Sequence, residues 1–210
     1  YEDRFGNLWI GGYTGLDRYS RKTGRFTHFE IISSDPLDLS LVSVPIIIII
    51  EDPGDPYKTL WIGMENWNLV KFDLENETIK QFPILYAATG EKRARLIRAL
   101  LCDKSNVIWV GTQEGLFTFD KTTEKFSLYQ SKSGRSLNNS ITVMQKSKFK
   151  YLWIGTSDKA LYKLDPDTGR FENYMFDQNQ VKSGSASYIL SLHEDQAGVL
   201  WIGTYGQGLI

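Results

Sequence analysis

Short apolar runs separated by polar turn residues follow one another along the whole chain. The pattern repeats, because a Trp followed by Ile or Val and then Gly occurs five times, at intervals of 52, 48, 44 and 48 residues. Each interval holds four apolar runs, which is the sequence form of a propeller blade with four antiparallel strands. The pattern therefore predicts an all-β propeller over residues 1–210, with about four blades. The repeats are anchored at Trp9, Trp61, Trp109, Trp153 and Trp201.

Further apolar positions define the other strands of each predicted blade. A Leu follows the Trp after seven or eight residues, and an apolar pair spaced by three comes after the next turn, as with Phe26 and Phe29. The innermost strand of the second blade, Pro45–Ile50, does not alternate, so we expect it to be buried on both faces. Residues 91–101 have helical propensity, but the repeat assigns their second half to a strand.

Turn residues recur with the same period. An Asp stands six residues before the Trp, or nine before it in the second copy, and Ser147 takes this place in the fourth. The simplest interpretation is that these Asp side chains bind their own backbone. In the outer hairpin, Gly169 suits a left-handed conformation, whereas Glu77 and Glu124 stand at the equivalent positions. Those two hairpins either differ in shape or accept a penalty of about 1–2 kcal/mol.

Composition and charge narrow the possible functions. With 210 residues, of which 41% are hydrophobic and 13% aromatic, the chain can bury a sizeable core. No apolar run approaches 18 residues, so no membrane segment is predicted, and the charged opening residues predict no signal peptide. A net charge of −1 gives no reason to expect nucleic acid binding. The single cysteine, Cys102, excludes an internal disulfide framework.

Binding residues are predicted on one face of the propeller. The loops after each Trp-Ile-Gly and the long connections between blades share this face, and variable loops on a rigid scaffold are the usual place for binding. Exposed aromatic rings beside amides and carboxylates suit a sugar, and the basic segment 92–98 is either solvated or a site for an acidic sugar. The motif Trp residues are assigned to packing between blades. The predicted ligand-binding residues are Trp67, Tyr13, Tyr205, Asn66, Glu114, Asp158, Arg93 and Arg95, with Asn138, Asn139 and Tyr188 from the connections.

Catalysis and metal binding have little support in the sequence. His28 and His193 belong to different periods and neither recurs, and no nucleophile elbow, phosphate loop or His-x-x-x-His pair is present. The Asp residues do not form the dense ligand series that calcium requires. We therefore predict no catalytic residue, no cofactor and no metal site.

The repeat resembles a known family. Asp195-x-x-Gly198-x-Leu200-Trp201-Ile202-Gly203-Thr204 and the hairpin from Asp165 to Tyr174 are similar to the two-component regulator propeller repeat. That repeat builds the periplasmic sensor region of bacterial hybrid two-component systems. In the family, two seven-bladed propellers are typically followed by a small β-sandwich, a membrane helix and a histidine kinase, and many members recognise breakdown products of polysaccharides.

The resemblance implies a non-catalytic sensor module that binds a glycan or oligosaccharide on its loop-rich face, in the periplasm. Because residues 193–210 repeat the register of residues 1–18, the chain is expected to be a piece of a larger, seven-bladed propeller, and a small closed propeller is the alternative. Its expected partners are the remaining blades, a second propeller of the same chain and a second copy in a homodimer. Two alternatives remain: an enzyme of the streptogramin-lyase type, for which only His193 is near the central region, and a purely structural protein-interaction propeller.

Overall fold

The computed structural model of the protein describes residues 1–31, 44–55, 57–65, 68–84, 96–102, 106–131, 134, 136–175 and 188–210. In these ranges the chain is all-β, and the strands form five antiparallel sheets. Three sheets have four strands paired in chain order, while the first and the last have three. No helix in the described ranges is long and apolar enough to cross a membrane. The predicted fold of four-stranded antiparallel blades is confirmed.

The strands follow the predicted period. The first blade comprises β1 (Asn7–Gly11), β2 (Gly15–Ser20) and β3 (Arg25–Glu30), and the second comprises β4 (Ile46–Glu51), β5 (Thr59–Met64), β6 (Asn68–Asp73) and β7 (Thr78–Pro83). The third comprises β8 (Ile97–Cys102), β9 (Val107–Thr112), β10 (Gly115–Asp120) and β11 (Lys125–Leu128). The fourth comprises β12 (Ile141–Lys146), β13 (Leu152–Thr156), β14 (Ala160–Asp165) and β15 (Arg170–Met175), and the fifth β16 (Ile189–Glu194), β17 (Leu200–Thr204) and β18 (Gly208–Leu209).

The chain divides into two compact units. The first consists of Tyr1–Ile108 with Asp120–Phe126, and the second of Trp109–Phe119 with Ser127–Ile210. In each blade the strand with the motif Trp begins at one end of the sheet, and in the first four blades the outer hairpin between the last two strands lies at the same end, which we call the turn end. The loop after the motif lies at the opposite end, where the innermost strands begin, and we call this the loop end.

The glycine of the motif provides space for the next blade. A Cβ atom on Gly11, Gly63 or Gly155 would lie 2.6 Å from a methyl carbon of Ile46, Ile97 or Ile189, respectively. Each of these Ile residues is the first residue of the innermost strand of the following blade. A side chain at the glycine position would therefore force neighbouring blades apart, which gives the Trp-Ile-Gly motif a packing role.

The motif Trp residues are covered where a later blade follows in the chain. Trp9 and Trp61 are buried, and the Trp9 ring meets the ring of Phe72 in the second blade at a centroid distance of 5.4 Å. Trp109 is buried within the second unit and Trp153 is half-buried, whereas Trp201 in the fifth blade is 43% exposed. The assignment of these residues to packing is confirmed for the first four copies.

One burial prediction is wrong. The innermost strand β4 is only partly buried, and Ile47 is 46% exposed. The reason is that β4 is the end strand of its sheet and pairs there only with β5, so no further strand of the sheet lies at its other edge. The strand assigned to the second half of residues 91–101 is confirmed by β8, while residues 91–95 lie outside the described ranges.

The outer hairpins keep one shape despite their different sequences. Glu77 and Glu124 have φ angles of 54° and 55°, close to the 67° of Gly24 and the 73° of Gly169. The sequence left two possibilities for these hairpins, and the structure shows the second: both glutamates adopt the left-handed conformation and accept its energetic penalty. Both glutamates also form ion pairs: Glu77 lies 3.0 Å from the guanidinium of Arg18, and Glu124 2.6 Å from the ammonium of Lys80.

Candidate functional site

At the turn end, an aspartate holds the indole of the motif Trp. The Oδ1 atom of Asp3 accepts hydrogen bonds from the backbone N–H groups of Phe5 and Asn7, both at 2.9 Å. Its Oδ2 atom accepts the indole N–H of Trp9 at 2.7 Å. The backbone contacts agree with the sequence interpretation, but the bond to the indole was missed. The constant Asp-to-Trp spacing is the signal that could have revealed it.

The same pair recurs in two other blades. Trp61 donates to Asp52 and Trp201 donates to Asp195, each at 3.0 Å. These hydrogen bonds, together with those from backbone N–H groups, lower the pKa of Asp195 below its ordinary value. The three carboxylates are thus used inside the turns, so their role is structural.

The fourth blade replaces this pair by a contact with the next blade. Ser147 is buried at the aspartate position, and its hydroxyl accepts the N–H of Phe149 at 3.1 Å but cannot supply a carboxylate. Trp153 instead donates its indole N–H to Oε2 of Glu194, the last residue of β16, at 3.1 Å. A carboxylate 41 residues away in the chain therefore takes the place of the missing Asp.

A buried ion pair joins the second and third blades within the first unit. The ammonium of Lys121 lies 3.0 Å from both carboxylate oxygens of Asp52, and both side chains are largely buried. Burial by itself raises the pKa of Asp52, but hydrogen bonds from Trp61, Lys121 and the Gly54 backbone outweigh it and lower that pKa overall. This arrangement stabilises the contact between blades.

At the loop end, a threonine holds each of three loops. The hydroxyls of Thr112, Thr156 and Thr204 donate to the carbonyl oxygen of the first residue of the following strand, at 3.0, 2.8 and 2.9 Å. All three threonines are buried. The loops that carry predicted binding residues in the third, fourth and fifth blades therefore have fixed ends.

The loop end of the fifth blade carries an exposed pair of tyrosine rings. Tyr188 and Tyr205 stack with a centroid distance of 6.0 Å and an interplanar angle of 30°. The N–H of Tyr205 donates to the carbonyl oxygen of Tyr188 at 2.9 Å, which fixes the two backbones together. The residues are 41% and 61% exposed, so two aromatic rings with phenol hydroxyls are open to solvent.

An amide and a carboxylate meet at the loop end of the fourth blade. The side-chain amide of Asn139 donates to Oδ2 of Asp158 at 2.5 Å, and the N–H of Ser157 donates to the carbonyl oxygen of Ser140 at 2.9 Å. The fourth and fifth blades are neighbours, because Ile189 packs on Gly155. The tyrosine pair and the Asn139–Asp158 pair therefore belong to the same end of adjacent sheets in the second unit.

Two further predicted site residues that the structure describes, Glu114 and Tyr13, do not belong to the tyrosine pair or to the Asn139–Asp158 pair. Glu114 lies in the loop between β9 and β10, where its N–H donates to the hydroxyl of Thr112 at 3.1 Å. Tyr13 is 70% exposed and belongs to the first unit. The last four predicted residues, Asn66, Trp67, Arg93 and Arg95, lie outside the described ranges.

Histidines and acidic residues do not gather into a centre in the described part of the chain. His28 lies 2.9 Å from Asp17 on an exposed surface, and His193 lies opposite Trp201 in the sheet of the fifth blade. Among the described residues, no group of three or more His, Cys, Asp or Glu side chains is placed to hold a metal ion. The arrangement at the loop end can bind a polyhydroxylated ligand through aromatic faces and hydrogen bonds.

Comparisons with known proteins agree with the fold. Residues 183–206 match the family described as Two component regulator propeller, which confirms the resemblance over that segment. Two solved extracellular domains, each described as part of a hybrid two component system of B. thetaiotaomicron, are similar with TM-scores of 0.71 and 0.69 and identities of 23% and 24%. They cover 97% and 100% of this chain, which spans 25% of each. No curated protein sequence matches the chain.

A more distant likeness involves an enzyme. A catalytically inactive virginiamycin B lyase from Staphylococcus aureus, solved with quinupristin, has a TM-score of 0.70 at 11% identity. The match covers 96% of this chain and 61% of the lyase. At these identities, the structural likenesses establish a propeller fold shared by sensors and enzymes.

Proposed function

We propose that this chain is part of the extracytoplasmic sensor region of a bacterial hybrid two-component protein, and that it binds a glycan or oligosaccharide without changing it chemically. The match to the two component regulator propeller family and the B. thetaiotaomicron neighbours support the sensor role. In such a protein the site would lie in the periplasm, with the output kinase encoded elsewhere in the same chain.

The exposed Tyr188–Tyr205 pair is the observation that carries the glycan proposal. Its two backbones are joined by a hydrogen bond, and its stacked rings, inclined by 30°, are open to solvent, so they offer an apolar surface at small loss of conformational entropy. The axial hydrogens of a sugar pack on such a surface, and its hydroxyls need fixed polar partners. Asn139 and Asp158 supply an amide and a carboxylate at the same end of the neighbouring blade.

Binding alone does not send a signal. A ligand shifts the balance between two arrangements only when it binds one of them more tightly. We therefore propose that the glycan favours one arrangement of this propeller relative to a neighbouring domain or to a second subunit of a homodimer. The other blades and the second propeller of the sensor are the proposed structural partners.

Calorimetric titration of the intact sensor region with a panel of oligosaccharides tests this proposal. We expect one glycan class to bind, and we expect Tyr205→Ala and Tyr188→Ala to weaken its binding about tenfold or more, since base or sugar stacking on one aromatic ring contributes about 1–3 kcal/mol. Tyr57→Ala is the matched control, because Tyr57 is equally exposed, at 60%, but belongs to the turn end.

The outcomes separate the candidate functions. If a glycan binds and neither tyrosine variant alters its affinity, the loop end of the fifth blade is the wrong site; Trp67→Ala and Arg95→Ala then test the remaining predicted residues. If the bound glycan is cleaved, the protein is an enzyme and the sensor proposal fails. If no glycan binds and the propeller associates only with proteins, the structural alternative replaces it.

A further inference from the structure

The turn between β12 and β13 differs in charge from its counterparts in other blades. It carries Lys146, Lys148 and Lys150 with no acidic residue, a charge of +3. The counterpart in the first blade, residues 2–6, has two acids and one base, a charge of −1, and that in the fifth blade, residues 194–198, has two acids, a charge of −2. Because all three turns precede a motif Trp, the positive charge is a property of this blade rather than of the repeat.

Two residues of this turn, Ser147 and Lys150, occupy positions whose roles are known from the equivalent turns of other blades. Ser147 stands where Asp3 and Asp195 hold the indole, so the usual negative charge is missing from the turn. Lys150 has a φ angle of 71° at the position of Gly6 and Gly198, with φ angles of 77° and 88°. A lysine there is strained relative to glycine, and such strain is often maintained at functional sites.

The strained lysine is not explained by an ion pair. Among the other non-glycine residues with a left-handed φ angle, Glu77 and Glu124 each pair with a cation. For Lys150, by contrast, the described residues provide no acidic partner within salt-bridge distance. Its ammonium group is therefore available to a ligand.

A depression lies at this turn. Its volume is about 430 Å³, and it is lined by Lys146, Ser147, Lys148, Lys150 and Glu194. One of the lining lysines is held in place, because the ammonium of Lys148 donates to the carbonyl oxygen of Gln196 at 2.5 Å. Glu194 binds the Trp153 indole through Oε2, while its enclosed Oε1 atom accepts no hydrogen bond from the described residues.

We propose that this depression, the lysine site, binds a small organic acid that carries hydroxyl groups. Lysine ammonium groups bind the carboxylate of the ligand as point charges, and the three lysines outnumber the one carboxylate, Glu194, that lines the depression. A ligand hydroxyl donates to Oε2 of Glu194, which accepts one hydrogen bond from the described residues and has lone-pair capacity left. The lysine site lies at the turn end and is independent of the glycan site proposed at the loop end.

Titration of the protein with glucuronate, followed by NMR or calorimetry, tests the lysine site. Lys150→Gly is the informative variant, because glycine suits the left-handed backbone and the variant should fold at least as well as the wild type. Lys159→Gly is the matched control: Lys159 also has a left-handed φ angle, 69°, but lies in a loop at the opposite end of the strands. We expect saturable binding of glucuronate, about fivefold weaker in Lys150→Gly and unchanged in Lys159→Gly.

Two further ligands test the chemistry of recognition. Glucose has the hydroxyls without the carboxylate, and inorganic sulfate has the charge without the hydroxyls, so both should bind more weakly than glucuronate. Equal binding of either compound would overturn the proposal, as would the absence of saturable glucuronate binding or equal losses in the two lysine variants. None of these results depends on whether a glycan binds at the loop end.

Discussion

Exchange of the carboxylate that holds Trp153 gives a quantitative test of how the blades are joined. In Glu194→Ala the indole N–H of Trp153 loses its acceptor, which lies 3.1 Å away in the wild type. A buried donor without a partner costs about 1–3 kcal/mol, and because Trp153 is only half-buried we expect about 1–2 kcal/mol. Glu194→Gln keeps an oxygen acceptor at the same place and is the matched control, with a much smaller loss.

A second substitution makes the test sharper. Ser147→Asp supplies a carboxylate at the position that Asp3 and Asp195 occupy in their blades. It should stabilise the Glu194→Ala protein, whereas in the wild type it brings two carboxylates to one indole and should destabilise. The effect of Ser147→Asp on the free energy of unfolding thus has opposite signs in the two backgrounds, which corresponds to a coupling energy of about 1–3 kcal/mol between residues 147 and 194.

Urea unfolding monitored by circular dichroism measures these differences. With a slope of about 2 kcal/mol per molar urea, a loss of 1–2 kcal/mol lowers the midpoint by about 0.5–1 M. The reasoning would be refuted by a Glu194→Ala protein as stable as the wild type, or by effects of the two substitutions that simply add.

Three other predictions concern packing and pH. Gly11→Ala should destabilise the protein by about 1–3 kcal/mol, because its Cβ would lie 2.6 Å from a methyl carbon of Ile46. Gly12→Ala is the control and should be nearly neutral, because its Cβ would lie 3.6 Å from the nearest atom. Equal urea midpoints for the two variants would contradict this prediction. Trp109→Ala should cost about 3–5 kcal/mol in the same assay, and a loss below about 1 kcal/mol would mean that the ring is not packed. The pKa of Asp52 is lowered in the folded state, so its contribution is fully present above the ordinary pKa of about 3.9 and is lost as pH falls through the lower folded value. The difference in urea midpoint between wild type and Asp52→Asn should therefore shrink below about pH 4. A difference that grows on acidification would contradict this prediction.

The fold could be predicted because its signals are periodic and local. The Trp-Ile-Gly copies fix the second strand of each blade, and the hairpin turns fix the third and fourth through residues a few positions apart. The error at β4 concerns burial alone: apolar character shows that a strand packs, but it does not show how completely its neighbours cover each side chain, and Ile47 is left exposed.

The candidate site was less predictable because it depends on which side chains the loops carry, and these vary from one blade to the next. Tyr188 and Tyr205 were both candidates, and the fourth blade repeats their backbone hydrogen bond between Ser157 and Ser140, but the stacking of two rings at these positions has no counterpart there. Replacement of an Asp by Glu194 from the next blade likewise has no local signal, since the two residues of that pair are 41 apart. Only the comparison of equivalent turns in three dimensions reveals such exchanges.

A crystal structure of the intact sensor region with the best-binding glycan tests the central claim most directly. The account predicts an intact sugar packed on the rings of Tyr188 and Tyr205, with its hydroxyls bonded to polar groups at the loop end. A glycan bound only at the turn end, or found as cleaved products, would contradict it.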